Sequence, residues 1–538
     1  MLEFLLTLFL GAISLFLFSV LFGRKWREGE PPLIKGWIPF VGKTLEFRKD
    51  SHQFLTKLQQ QYGDVFTVLI AGKYMTFVMD PLLYPSVIKR GRQLDFHDFS
   101  DQAASVTFGY PAVRGGRFPG LSEQIQKLFR LLQGDSLDVL TFRMMGNLQV
   151  VLRRSLSIPE GAFPKDDWQV EDLYEPKDDW QAKDDWQAED DWQAKDDWQA
   201  EDLYEFCYRV MFEATFLSIY GRPEQGAAHP GMNTLQENFR KFDSVFPLLI
   251  ARVPIALLGQ TKGIRQKLLS FFHPCRIGKW IDPCEFVQRR VHLFDQYDTL
   301  GDLDKAAHHF AILWASVGNT IPAAFWSLYH LLTHPEALAA VRQEIMGVVS
   351  QEEAESICTR DITLTREQLD RLIYLESALN ESLRLSSASM NIRVVQEDFT
   401  LSLDAQRAVN LRKGDFIVLH PQSMHMDPDI YPQPRMYRFD RFVEAGREKT
   451  DFYKHSQKLH YYRMPFGSGS TQCPGRFFAV NELKQFICVV LLMFQLELPA
   501  GQEDARLDTS RAGLGILPPA NHITLRYRPN SLQQPNTS

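Results

Sequence analysis

Near the C-terminal end a single cysteine stands on a glycine-punctuated turn, Phe466-Gly467-Ser468-Gly469-Ser470-Thr471-Gln472-Cys473-Pro474-Gly475-Arg476, directly ahead of the helical apolar pattern Phe477, Val480, Leu483, Phe486 and Ile487. Glycine turns sharply and lets a flat ligand approach the backbone, while a thiol at a helix start gains from the helix dipole as thiolate. Those are the requirements of an axial haem ligand, with Phe466, Gly467, Gly469 and Gly475 shaping the turn around Cys473. An isolated cysteine in such a turn is more often a buried free thiol. Other motifs have to agree with the loop before it defines a fold.

Composition permits such a fold. The chain has 538 residues, 45% hydrophobic and 23% charged, enough to bury a large core. Six cysteines, Cys207, Cys275, Cys284, Cys358, Cys473 and Cys488, form no CxxC pair and are too sparse for a disulfide framework, which points to a reducing compartment. The net charge of −7 is uneven. Residues 165–206 hold 17 Asp and Glu against 4 Lys, so the other 496 residues carry a net of +6, the −7 total less the −13 of this stretch. That small excess suits an anionic membrane surface or an acidic partner and falls short of the clustered basic stripe of a nucleic-acid binder.

Phe4 to Phe22 is a run of 19 uncharged residues, long enough as a helix to cross a bilayer, and Arg24, Lys25 and Arg27 follow it. The positive-inside rule then places the rest of the chain in the cytosol. Residues 1–23 are expected to be an anchor and residues 24–42, with Pro31, Pro32 and Pro39, a stiff hinge. The body is expected over 43–528, with a tail at 529–538. Residues 165–206 are seven hexads of the type KDDWQA, EDDWQA and EDLYEP. A six-residue spacing scatters their aromatics over several helix faces and paired Asp disfavours strands, so 165–200 reads as an inserted, disordered loop. Only the last copy, Trp198 to Phe206, reads naturally into a helix through Cys207, Tyr208 and Arg209. Elsewhere helices should prevail, as at Phe310–Ala315 and Phe325–Leu332, with a small β region near Asp64–Leu69 and Tyr74–Met79.

With these elements in order, the cysteine loop Phe466-Gly-x-Gly-x-x-x-Cys473-Pro-Gly475 resembles that of the cytochromes P450. Glu381-Ser382-Leu383-Arg384 resembles the family's E-x-x-R, and Pro434 to Phe442 its P-x-x-F-type segment, with Arg441 as second arginine. The resemblance implies a structural network of Glu381, Arg384 and Arg441 that holds the cysteine loop against the helices, a bidentate geometry lysine cannot supply. Ala315-Ser316-Val317-Gly318-Asn319-Thr320 resembles the helix crossing the distal face of the haem, with Asn319-Thr320 in place of the acid-threonine pair. Both are implied to organise proton delivery to dioxygen, and Pro322 should kink the helix. Thr471 stands where many members carry a basic residue for a haem propionate, which leaves Arg393 as candidate.

The resemblance narrows to the group of sterol 12-alpha-hydroxylases and prostacyclin synthases. Gly63-Asp64-Val65-Phe66-Thr67-Val68, Thr76-Phe77-Val78-Met79-Asp80-Pro81, Phe239-Arg240-Lys241-Phe242-Asp243 and Leu313-Trp314-Ala315 are similar to that group, and His425-Met426-Asp427-Pro428-Asp429-Ile430 and Cys473 to Ala479 are closer to the hydroxylases. It implies a mainly α fold with a small β region and one N-terminal transmembrane helix. The implied protein is a b-type haem monooxygenase of the endoplasmic reticulum, using O2 and electrons from NADPH through cytochrome P450 reductase, since no flavin or nicotinamide fingerprint is present. The implied reaction is 12-alpha hydroxylation of a 7-alpha-hydroxylated sterol in bile acid synthesis. Implied pocket residues are Phe310, Trp314, Ala315, Ser389, Met390, Ile392, Leu514 and Ile516. Thr320 favours this over the alternative, an endoperoxide isomerase, which needs no delivered proton; a haem-binding protein without turnover is a further alternative.

Overall fold

Apolar residues at helical spacing form the centre of the body. In the computed structural model, which describes residues 24–114, 117–156, 198–222, 231–356 and 361–530, the expected central helix is two consecutive helices, Asp302–Val317 and Thr320–Thr333. The interruption falls at Gly318 and Asn319. Pro322 has no N–H to give the carbonyl four residues earlier, that of Gly318, so the ladder breaks where proline demands it. Packed around this pair are Leu203–Tyr220, Ile373–Ser386 and Arg476–Met493, with Asp135–Leu156 behind the first and last of these. Leu203–Tyr220 is buried on nearly every face, as an all-round apolar helix must be inside a bundle.

The small β region is a six-stranded sheet in the order Leu33–Ile34, Val65–Ile70, Lys73–Val78, Phe416–Leu419, Asn391–Val395 and Leu94–Asp95. Val65–Ile70 and Lys73–Val78 form a hairpin whose two-residue turn has positive φ at Ala71 (45°) and Gly72 (74°), matching the right-handed twist of the strands. A second sheet joins Phe494–Glu497, Thr524–Pro529 and Gln199–Asp202.

Two expected boundaries move. Residues 24–42 are fastened to the body, not a free hinge: Leu33–Ile34 pairs in parallel with Thr67–Val68, Arg24 bonds Asp415, and Glu30 pairs with Arg412. Alternating the prolines with residues free to hydrogen-bond allows the stretch to join a sheet edge. The hexad loop was expected to end at residue 200, but Gln199 and Ala200 already lie in a strand paired with Tyr527 and Arg526, and the Trp198 ring lies 5.3 and 4.7 Å from the Arg526 and Arg528 guanidiniums. Backbone pairing here outweighs the low strand preference of the acidic sequence. The anchor at 1–23, the hexads before Trp198 and the tail from residue 531 lie outside the described residues; among those described, no helix is long and apolar enough to cross a membrane.

Candidate active site

The cysteine turn is built as its glycines suggest. Gly467 and Gly469 have φ of +75° and +62°, and a Cβ on Gly469 would come within 2.6 Å of the Ile88 side chain. The Cys473 amide donates to the Phe466 carbonyl at 2.8 Å, closing the turn and leaving the thiol partly accessible at the head of Arg476–Met493. Burial pushes the Cys473 thiol up, while the backbone N–H groups of Gly475 and Arg476 act in the opposite direction.

Behind the loop, Glu381, Arg384 and Arg441 form a buried network. Arg384 donates Nε and Nη2 to the two Glu381 oxygens at 2.7 and 2.8 Å, and Arg441 Nε donates to Glu381 Oε1 at 2.8 Å. Their remaining N–H groups reach backbone carbonyls: Arg384 to His425 and Pro434, Arg441 to Pro432 and Met436. Two cations on one carboxylate with the spare donors satisfied is the condition under which a buried ion cluster is tolerated. The network reaches the loop through a residue whose role the sequence leaves open. His425 Nε2 accepts from the Met464 amide at 3.1 Å, two residues before Phe466, and burial lowers its pKa to about 3, so the ring stays neutral and able to accept.

Arg393, 3% exposed on the strand Asn391–Val395, donates from Nη2 to Thr471 Oγ1 at 3.2 Å. It therefore lies against the position where the family pattern carries a basic residue. No carboxylate is bonded to this buried guanidinium among the described residues, a donor set that suits a haem propionate.

The central helix is open at Ala315, exposed, and at Asn319, half-buried, the latter in the break between its two halves. Asn319 Oδ1 accepts from the Ile516 amide at 2.9 Å, and a Cβ on Gly515 would fall 2.1 Å from that oxygen, so only glycine admits the contact. Thr320 is placed differently from its expected position beside dioxygen. It is 5% exposed, and its hydroxyl donates to Glu482 Oε1 at 3.0 Å, since the next residue on a helix turns about 100° away. Thr215 donates to the other Glu482 oxygen at 2.8 Å, and burial raises the pKa of this carboxyl to about 8.

The expected pocket walls divide. Ser389, Met390, Ile392, Leu514 and Trp314 are partly open, and the two wall segments are stitched by Ala388 N to Gly515 O (2.8 Å) and Gly513 N to Ala388 O (2.7 Å). Ile516 is 8% exposed beside Asn319. Trp314 donates to Asp243 at 2.9 Å, stacked 3.8 Å from Phe246. Phe310 is the exception: fully buried, with Phe108 at 5.4 Å and Phe242 at 5.0 Å, it backs the wall and does not line it.

A family comparison matches residues 31–113 and 282–525 to Cytochrome P450. Full-length relatives include a rabbit (Oryctolagus cuniculus) protein named Cytochrome P450 7A1, 40% identical over 94% of each chain. A Chinese hamster (Cricetulus griseus) Cholesterol 7-alpha-monooxygenase is 39% identical over 95% of each, and a rabbit 7-alpha-hydroxycholest-4-en-3-one 12-alpha-hydroxylase 34% over 95% of each. The fold and the thiol-bearing loop with its buried carboxylate network define a haem-thiolate enzyme. The chain belongs to the cytochrome P450 family and is a P450 monooxygenase similar to sterol hydroxylases.

Proposed function

We propose that this protein hydroxylates the α face of a steroid nucleus, with haem held by Cys473. Bound haem supplies the oxidant that abstracts hydrogen from an unactivated carbon. The chain's own part is to position and to exclude: Glu381, Arg384, Arg441 and His425 fix the cysteine turn, and Arg393 would receive a propionate, while the Thr471 hydroxyl donates to the Ser468 carbonyl within the turn. Asn319 offers its amide N–H on the open side of the central helix, because its oxygen is committed to Ile516. The stitched wall from Ser389 to Ile392 and Leu514 to Ile516 suits a rigid, apolar ligand whose orientation alone selects one C–H bond.

The observation that carries this reading is the names of relatives that cover nearly the whole chain: both groups are named for α-face hydroxylation of a sterol. The motifs single out the 12-alpha-hydroxylases. The full-length comparison adds cholesterol 7-alpha-monooxygenase at higher identity, which makes carbon 7 of cholesterol the first position to examine and carbon 12 of its 7-alpha-hydroxy-4-en-3-one the second. We further infer a single anchor at residues 1–23 in the endoplasmic reticulum membrane, a cytosolic body, and NADPH–cytochrome P450 reductase as electron donor.

The test is product analysis of the purified haem protein with reductase, NADPH and each sterol, beside a prostaglandin endoperoxide without reductase, and with Cys473→Ser as control. An oxygen-dependent sterol alcohol, lost in Cys473→Ser along with the thiolate-type Soret band of the reduced carbonyl complex, is expected. Reductase-independent rearrangement of the endoperoxide with no sterol product would overturn the reading in favour of the isomerase, and no turnover of any of them in favour of an inert haem protein.

A further inference from the structure

Four arginines are buried among the described residues: Arg290, Arg384, Arg393 and Arg441. Arg384 and Arg441 share Glu381, and Arg393 stands beside the cysteine turn. Arg290, 2% exposed on the helix Glu285–Asp295, shares no bonding partner with that arrangement and is bonded to no carboxylate among the described residues. Its Nη2 reaches the His308 carbonyl at 3.3 Å, whereas Nε and Nη1 are buried without a partner. The guanidinium carbon lies 5.4 Å from the Phe286 ring centre and 5.0 Å from that of Phe294. Ring faces attract the cation but offer neither a counter-charge nor lone pairs for two N–H groups. A guanidinium cannot shed its proton to escape burial, unlike a lysine.

Two more unpartnered polar atoms lie in the same cluster. His308 and His309, on Asp302–Val317, have ring centres 5.0 and 5.6 Å from that of Phe294, and His308 Nε2 and His309 Nδ1 are buried without partners. His308 is also stacked 3.9 Å from Tyr110, and the Tyr220 hydroxyl is already committed to the His309 carbonyl at 2.6 Å. Burial, with the Arg290 charge beside them, holds both histidines well below their usual pKa, so each is neutral with one ring N–H to donate. The charge is thus +1, with aromatic rings around it and no carboxylate bonded to it among the described residues. Water could satisfy the N–H groups but not the charge. A compact acceptor-only ion would do both.

We propose that Arg290, His308 and His309 form an internal site for a small inorganic anion of halide size, which fastens the helix Glu285–Asp295 to the first half of the central helix. The proposal does not depend on which steroid is oxidised.

The test is made on the full-length, haem-loaded protein in detergent, using sodium chloride and sodium bromide against sodium gluconate at equal ionic strength. Halide should raise the unfolding midpoint by about 1–3 °C, an effect absent in Arg290→Met. Anomalous scattering from crystals grown in bromide should place one bromide within hydrogen-bond distance of Arg290 Nε or Nη1. Water at that position in the bromide crystals, or a halide shift equally large in Arg290→Met, would overturn the proposal. Should Arg290→Met not fold, the bromide map of the unaltered protein decides alone.

Discussion

At the scale of single residues, burial without a nearby cation fixes the protonation of Glu482. Its hydrogen-bond partners are the hydroxyls of Thr215 and Thr320, and its pKa rises from 4.5 to about 8. In the unfolded chain the carboxyl loses its proton from about pH 4.5 upward, while the folded chain keeps it until about pH 8. The contribution to stability is therefore full at low pH and declines as pH rises through that window, by about 3–5 kcal/mol in all. Glu482→Gln keeps the shape and cannot ionise, so the variant should gain on the unaltered protein in unfolding experiments run from about pH 5 to pH 8; a constant difference across that range would count against the assignment. In the same series Thr320→Val should cost about 1–3 kcal/mol by leaving one carboxyl oxygen unpaired, whereas Asn319→Ala should act on product formed per NADPH consumed. Cys473, Glu381, Arg384 and Arg441 are legible in the sequence because each sits in a short motif with fixed spacing. Glu482 and His425 are not, since their meaning depends on partners distant in the chain: Thr215 is 267 residues from Glu482, and no local pattern encodes that meeting. Thr320 shows the same limit from the other side. The motif locates the helix correctly, but a neighbouring position on it points to a different face.

At the scale of elements, the helical core and the front hairpin follow from periodicity, and the register of Val65–Ile70 with Lys73–Val78 follows from their two-residue turn. The end of the hexad array does not follow, because strand pairing with Thr524–Pro529 is a tertiary event imposed on a sequence with little strand preference. This sets where the array can be cut. Excising Lys177–Ala194, three whole hexads, leaves Trp198 and the strand Gln199–Asp202 in place and should preserve haem incorporation and the unfolding midpoint. Excising Lys177–Ala200 removes half of that strand and the Trp198 contacts with Arg526 and Arg528, and should lower the midpoint. Equal midpoints for the two deletions would show that the strand contributes nothing to the fold.

At the scale of the whole molecule, the stretch from Arg24 to Ile34 is part of the body and not a linker. Arg24, Glu30, Arg412 and Asp415 form one charge cluster, and Leu33–Ile34 completes the edge of the main sheet. Removing residues 1–23 should therefore leave haem content and thermal stability unchanged, while removal through Lys35 should lower both; the two truncations compared by calorimetry and haem absorbance check this. Trp37, Ile38 and Phe40 are exposed just after the fastened strand, 92%, 55% and 71% respectively, and the Phe40 carbonyl accepts from the Gly72 amide, so this apolar surface is tied to the sheet. The opposite arrangement holds where the hexads join. Gln199–Asp202 is an edge strand with one neighbour, and the register from Trp198 onward is indifferent to how many copies precede it. A gain or loss of one whole six-residue unit before Trp198 is therefore expected to leave the pairing of Gln199–Asp202 with Thr524–Pro529 unchanged.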